Sequence, residues 1–103
     1  MRPKDMPTEE PREYLFEGGG VVVEHTWLTT AFEGENYLEA DICQVKVTPV
    51  LSDGGRGASM TGAFLGVGIT DVRPEYDASG RLSKVVAGRT SSQADFEVRF
   101  APA

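Results

Sequence analysis

The chain has 103 residues, 40% of them hydrophobic and 25% charged, which fits one globular domain and argues against disorder along the whole length. Sixteen acidic residues against ten basic ones leave a formal net charge of −6 at pH 7. This balance argues against binding to nucleic acid or to anionic membranes, because both attract basic surfaces.

Cysteine usage and the absence of targeting signals predict the compartment. Cys43 is the only cysteine, so no disulfide can form within the chain, which fits a reducing environment. Residues 1–11 lack the apolar stretch of a secretory signal, and no apolar run approaches the roughly 20 residues of a membrane-spanning helix. We expect a protein of the cytoplasm, or a soluble part of a larger particle.

The N-terminal residues 1–12 are rich in proline and charge and almost free of apolar side chains. Such a segment is typical of a flexible arm, either an unstructured end or an arm that orders on a neighbouring subunit. The remaining residues, 13–103, are expected to form a single β domain.

The first half of this domain predicts three strands. Residues 14–16 and 21–31 are rich in aromatic and β-branched residues, and three consecutive glycines separate them. After a polar turn, residues 37–51 form a longer candidate in which the apolar residues change face part-way. A period of two changes face only through an extra residue or a bend, so we predict a β-bulge or corner near Ile42 and Cys43.

The second half predicts shorter strands joined by turns. Residues 52–57 form a turn, and the strand 59–72 that follows has an apolar face, predicted to be the core face, opposite a face of nearly bare backbone. The predicted core residues are Ala63, Leu65, Val67 and Ile69. A strand at 82–90 precedes a clear alternation at 94–100, whose inward residues are Phe96, Val98 and Phe100.

No segment repeats apolar residues at helical spacing, so these patterns predict an all-β fold. About six antiparallel strands joined by short turns would form a β-sandwich or a small barrel.

The heptapeptide at residues 76–82, Tyr-Asp-Ala-Ser-Gly-Arg-Leu, resembles the tyrosine–aspartate repeat of large bacterial shell-forming toxins. In that family each of many copies forms a hairpin, whereas this chain has one copy. The resemblance implies a hairpin at residues 76–82 and no function.

The residues that carry chemistry are few, and we predict no catalytic set, no metal site and no cofactor. His25 is the only histidine, and it lacks an identifiable nucleophile unless the fold brings Cys43 to it. One histidine and one cysteine do not supply a zinc site. Oxygen-bearing side chains cluster at residues 33–41 and at residues 71–77, but neither cluster has the spacing of a calcium loop.

Two functional hypotheses remain open. The leading one is a non-catalytic binding or assembly module that acts through protein–protein contacts, either self-association or a protein partner. Its candidate interface comprises Gly62, Phe64, Gly66, Gly68 and Arg56. Because glycine has no side chain, another group can approach the strand backbone closely at these positions. That group is either an aromatic side chain of the same domain, such as Trp27 or Tyr37, or another subunit.

The alternative hypothesis is a small β-barrel that binds an apolar or sugar-like ligand, with or without enzymatic activity. Aromatic side chains would line its cavity and polar groups would anchor the ligand. The candidate ligand-binding residues are His25, Trp27, Tyr37 and Arg89. The same aromatic residues would equally form an ordinary core.

Overall fold

The computed structural model describes residues 5–32, 38–90 and 93–100, in which eight β-strands form two antiparallel sheets and no helix occurs. The strands are β1 (Asp5–Thr8), β2 (Arg12–Phe16), β3 (Gly19–Phe32), β4 (Leu38–Val50), β5 (Met60–Leu65), β6 (Asp71–Tyr76), β7 (Leu82–Gly88) and β8 (Phe96–Arg99). The predicted all-β class is confirmed. The described strands form no closed barrel, because no pairing joins the two sheets.

The first sheet is built around the long hairpin of β3 and β4, with β1 and β2 along the free side of β3 and β5 along the free side of β4. The bulge predicted near Ile42 and Cys43 is wrong, since the β3–β4 register runs without a shift through both residues. Cys43 begins a run of alternately buried residues facing the core, whereas Ile42 is a half-buried residue of the opposite face. The apolar residues change face in the sequence because both faces of β4 carry some, not because a residue is inserted.

The inward face of β5 is the reverse of the predicted one. Register pairs Gly62 with Val45 and Phe64 with Cys43, and residues directly opposite in a sheet project to the same face. The buried face of β4 therefore determines that Gly62 and Phe64 face inward. Leu65, predicted to be a core residue, is 70% exposed.

The prediction of a single strand over residues 59–72 is also wrong, because this region contains β5 and the start of β6. β5 ends at Leu65, Gly66 follows with a φ of +71°, and β6 begins at Asp71 in the other sheet. Pro74 lies within β6 instead of interrupting it. β6 is an edge strand, where a residue without an N–H group is tolerated.

The second sheet contributes the other half of the core. β6 and β7 form the hairpin predicted at residues 76–82, and β8 pairs along the other side of β7. The inward alternation predicted for β8 is confirmed at Phe96 and Val98, both buried. Residues of both sheets form one buried cluster, whose members include Val21, Val23, Cys43, Val45, Val47, Leu82, Val85, Ala87, Phe96 and Val98.

The N-terminal segment runs along β3. β1 pairs with β3 around Leu28, and β2 pairs with it from Val23 to Gly19. Between them, the backbone N–H of Glu9 donates to the His25 carbonyl at 3.0 Å. Part of the predicted flexible arm thus lies on its own domain, and residues 1–4 of that arm lie outside the described residues. Flexibility of the arm stays a prediction.

The chain is elongated, with principal extents of 58 × 26 × 17 Å and a radius of gyration of 16.4 Å. A compact chain of this length would have a radius of gyration of about 13 Å. The β3–β4 hairpin accounts for the shape, because its register continues to Phe32 and Leu38, past the point where β5 ends opposite Ile42.

The turn between β6 and β7 depends on one carboxylate. Asp77 Oδ1 accepts hydrogen bonds from the Ser79 hydroxyl at 2.6 Å, the Ser79 N–H at 2.9 Å and the Arg81 N–H at 3.1 Å. The hydrogen bond from the Ser79 hydroxyl, followed by that from the Arg81 backbone, lowers the pKa of Asp77. These bonds explain why an aspartate occupies this position of the turn.

We expect Asp77→Ala to lower the melting temperature near neutral pH, because three donors lose their acceptor. The pKa of Asp77 is lower in the folded state than in the unfolded state. The contribution of its carboxylate to the stability of the fold is therefore complete above the unfolded-state pKa and is lost as pH falls through the folded-state pKa. Thermal unfolding of both proteins, followed by circular dichroism from about pH 7 to about pH 2, should show the difference shrinking with acid. Asp77→Asn is the control, since its difference from Asp77→Ala should not follow the titration of a carboxylate. A gap between wild type and Asp77→Ala that stays constant over this range would contradict the assignment.

Candidate functional site

His25 and Trp27, two of the predicted ligand-binding residues, meet at the carboxylate of Glu9. The Trp27 indole N–H donates to Glu9 Oε1 at 3.2 Å, and His25 Nδ1 lies 3.6 Å from Glu9 Oε2. The Ile69 backbone N–H donates to His25 Nε2 at 2.9 Å, which assigns the proton of the neutral imidazole to Nδ1. Both ring nitrogens therefore have partners within the chain. Together they connect the N-terminal segment to the loop between the two sheets.

His25 and Cys43 are brought to the same place, which the sequence left undecided. A Cβ atom built on Gly68 would lie 2.7 Å from His25 Nε2 and 3.3 Å from Cys43 Sγ. The pair still does not form a nucleophile and its base. His25 Nε2 already accepts the Ile69 N–H, and burial, assisted by the charge of Glu9, raises the pKa of the Cys43 thiol. A fully buried thiol with a raised pKa is unreactive.

Arg89, the third predicted ligand-binding residue, is held by groups of its own domain. Its Nε and Nη2 atoms donate to the two carboxylate oxygens of Asp95, each at 3.0 Å, and its backbone N–H donates to the same side chain at 3.1 Å. The guanidinium carbon lies 4.5 Å from the centre of the Phe64 ring. These contacts connect Arg89, which follows β7, to Asp95, which precedes β8. Tyr37, the fourth predicted residue, lies outside the described residues, and ligand binding by this set stays a prediction.

Two of the predicted interface glycines contact side chains of their own domain. A Cβ atom on Gly62 would lie 3.1 Å from the Phe96 ring, and one on Gly68 would lie 2.5 Å from His25 Cδ2. Close approach within the domain thus accounts for both glycines, although the neighbours are Phe96 and His25 instead of the predicted Trp27. Tyr37 lies outside the described residues. Gly66 has open space around it.

The other two predicted interface residues have different surroundings. Phe64 is half-buried against the core, and its ring meets that of Phe96 edge-on with centroids 6.1 Å apart. Arg56 is exposed, and its guanidinium lies 3.9 Å from the Glu13 carboxylate. Arg56 is therefore the member of the predicted set with a long side chain at the surface.

Sequence reasoning missed the outward side of β5. Register aligns Leu28, Ile42 and Leu65 as one row across the outer face of β3, β4 and β5. Leu65 is the most exposed large hydrophobic residue among those the structure describes, and nearby Val67 is 41% exposed. This apolar row ends at β5, whose far side pairs with no described strand.

The β5 edge also differs from the other free strand edges in its charge. Each other edge strand among the described residues contains charged side chains or proline, such as Asp5 in β1, Arg12 in β2, Pro74 in β6 and Glu97 in β8, whereas β5 contains neither. Charged residues and proline on an edge strand prevent unwanted pairing. The signal was present in the sequence, since residues 57–70 contain no charge at all.

An open cleft lies beside this edge on the outer face of the first sheet, with a volume of about 660 Å³. Its polar lining includes Glu24 and Lys46, whose charged groups lie 3.9 Å apart, and it extends to Thr61 and Ala63 of β5. The outer side of β5 therefore borders an open cleft and is accessible to a binding partner.

The chain matches no family model, curated protein or solved structure. In the part of the chain that the structure describes, no group of three or more histidine, cysteine or acidic side chains is arranged to hold a metal ion. Over the same residues, the structure has no helix able to cross a membrane.

Proposed function

We propose that the chain is a non-catalytic assembly module that acts through protein–protein contacts at the edge of β5. The observation that carries this proposal is an edge strand with neither charge nor proline, ending in a leucine that is 70% exposed. A free edge offers a row of backbone N–H and C=O groups to an incoming strand, and exposed apolar side chains beside it add buried area on binding.

The chemistry of the remaining groups supports a role without catalysis. His25, Cys43 and Arg89 are the side chains most suited to chemistry, and each is engaged within the domain as described above. We also propose that the two sheets are the two layers of a β-sandwich, because their buried residues form one cluster. The cytoplasm, or a soluble part of a larger particle, is the proposed location, with a protein as partner and neither nucleic acid nor membrane.

The test compares two leucines that are similarly exposed on different strands. Leu65 on β5 is 70% exposed and Leu15 on β2 is 59% exposed, so neither lysine substitution disturbs the core. Native mass spectrometry and sedimentation of the full chain, purified from the cells that make it, should show a complex heavier than the 11.1 kDa chain. Leu65→Lys should weaken that complex by at least about tenfold, which corresponds to 1.4 kcal/mol of lost contact, and Leu15→Lys should leave it unchanged.

Two results would contradict the proposal. One is a bare monomer at every concentration. The other is equal weakening by Leu65→Lys and Leu15→Lys, which would place the contact elsewhere or reduce it to general charge effects.

A further inference from the structure

We infer that the partner at β5 is a second copy of this chain, joined by antiparallel pairing of β5 with itself around a two-fold axis. This inference rests on the proposed function and names its partner. Two copies that each carry a formal charge of −6 repel one another, so contact between them is favoured only where charge is absent. The uncharged run at residues 57–70 is such a place, and it contains the edge of β5 that pairs with no described strand.

Self-pairing is favoured by the residues that β5 presents. A strand paired with its own copy brings no charge opposite a like charge, because β5 has none. Gly62 and Ala63 lie in the middle of the strand, and their small size allows close approach at the axis. A strongly basic partner strand would find no acidic side chain on β5 to pair with. The absence of charge therefore favours an uncharged strand as the partner, and a second β5 is one.

The faces of β5 restrict the register. Residues directly opposite in an antiparallel pair project to the same face, so outward residues must oppose outward residues. The register centred on Ala63 satisfies this condition and also keeps Leu65 within the paired strands, opposite Thr61 of the second copy. The five-stranded sheets of the two copies then become one continuous sheet. The two uncharged β5 edges are paired with each other at its centre. Leu65 gains a cross-strand neighbour in addition to Ile42 on its own chain.

Disulfide formation tests this register directly. In the proposed dimer the two Ala63 residues are directly opposite, within the roughly 7 Å between Cα atoms that a disulfide requires. The two Thr61 residues would be about 14 Å apart along the strands, four residues at roughly 3.4 Å each. Ala63→Cys should therefore cross-link to a dimer under mild oxidation at least about tenfold faster than Thr61→Cys. The native Cys43 is fully buried and contributes little background.

The outcomes separate this inference from the proposed function. A complex whose native mass is twice that of the chain, together with fast cross-linking of Ala63→Cys, supports the two-fold β5 pair. A complex of another composition that Leu65→Lys still weakens leaves the assembly function standing and overturns the second copy as partner. Equal rates for Ala63→Cys and Thr61→Cys in a true dimer also overturn it, since the copies then meet elsewhere. A bare monomer contradicts both proposals.

Discussion

Gly88→Ala should lower the free energy of unfolding by about 3 kcal/mol, at the upper end of the range for an overpacked interior. Gly88 is buried at the end of β7, and a Cβ atom there would overlap the carbonyl oxygen of Gln93. That neighbour is backbone, so it cannot rotate away as a side chain would. Moving it would disturb the hydrogen bond from the Asp95 N–H to the Ala87 carbonyl, now 3.1 Å, and the Arg89–Asp95 ion pair.

The measurement is urea unfolding of wild type and Gly88→Ala, read from the midpoint at an unchanged denaturant dependence. Gly55→Ala provides a matched control, because the three atoms nearest to a Cβ atom at Gly55 belong to the Asp53 side chain, which is exposed and can shift into solvent. Its effect should stay within about 0.5 kcal/mol. If Gly88→Ala lowers the free energy of unfolding by less than about 1 kcal/mol, the Gln93 carbonyl moves aside to admit the methyl group, and the prediction is wrong.

His25→Phe is expected to cost about 2 kcal/mol of stability, because the Ile69 N–H loses the acceptor it now has at 2.9 Å. Phenylalanine keeps a ring of similar size beside Gly68 and removes both nitrogens. An N–H left without an acceptor in a partly buried position bears the full cost of its lost hydration. The contact of His25 Nδ1 with the Glu9 carboxylate, at 3.6 Å, contributes less, since the Glu9 side chain is 59% exposed.

The His25→Gln variant tests the acceptor specifically, because a glutamine side chain offers a carbonyl oxygen in place of Nε2. It should recover part of the stability lost in His25→Phe and slow the hydrogen exchange of the Ile69 amide relative to that variant. Equal stability of the two variants would mean that the Ile69 hydrogen bond contributes nothing.

The elements predicted correctly are those whose information is local. The alternation of β8 and the turn at Asp77 depend on residues within a few positions of one another, and the structure contains both. The all-β class followed in the same way, from apolar residues at a period of two and the absence of a helical repeat. The bulge predicted near Ile42 and Cys43 is wrong because the prediction assumes that only one face of a strand is apolar, whereas β4 has apolar residues on both faces.

The candidate site was less predictable, because it depends on contacts between distant segments. The hydrogen bond between His25 and Ile69 spans 44 positions, and no pattern near either residue indicates it. The approach of His25 and Cys43 at Gly68 likewise involves β3, β4 and the loop between the sheets. The uncharged run at residues 57–70 was visible in the sequence, yet its meaning required knowing that β5 lies at an edge.

The sequence by itself determined the secondary-structure class, the acidic character and the turns, because short-range sterics and composition decide these. Only the tertiary structure decided which face of β5 points inward and which residues meet. A period of two distinguishes the two faces of a strand without saying which one is buried. That choice was made by pairing with β4, where Gly62 opposes Val45 and Phe64 opposes Cys43, and it left Leu65 at the surface.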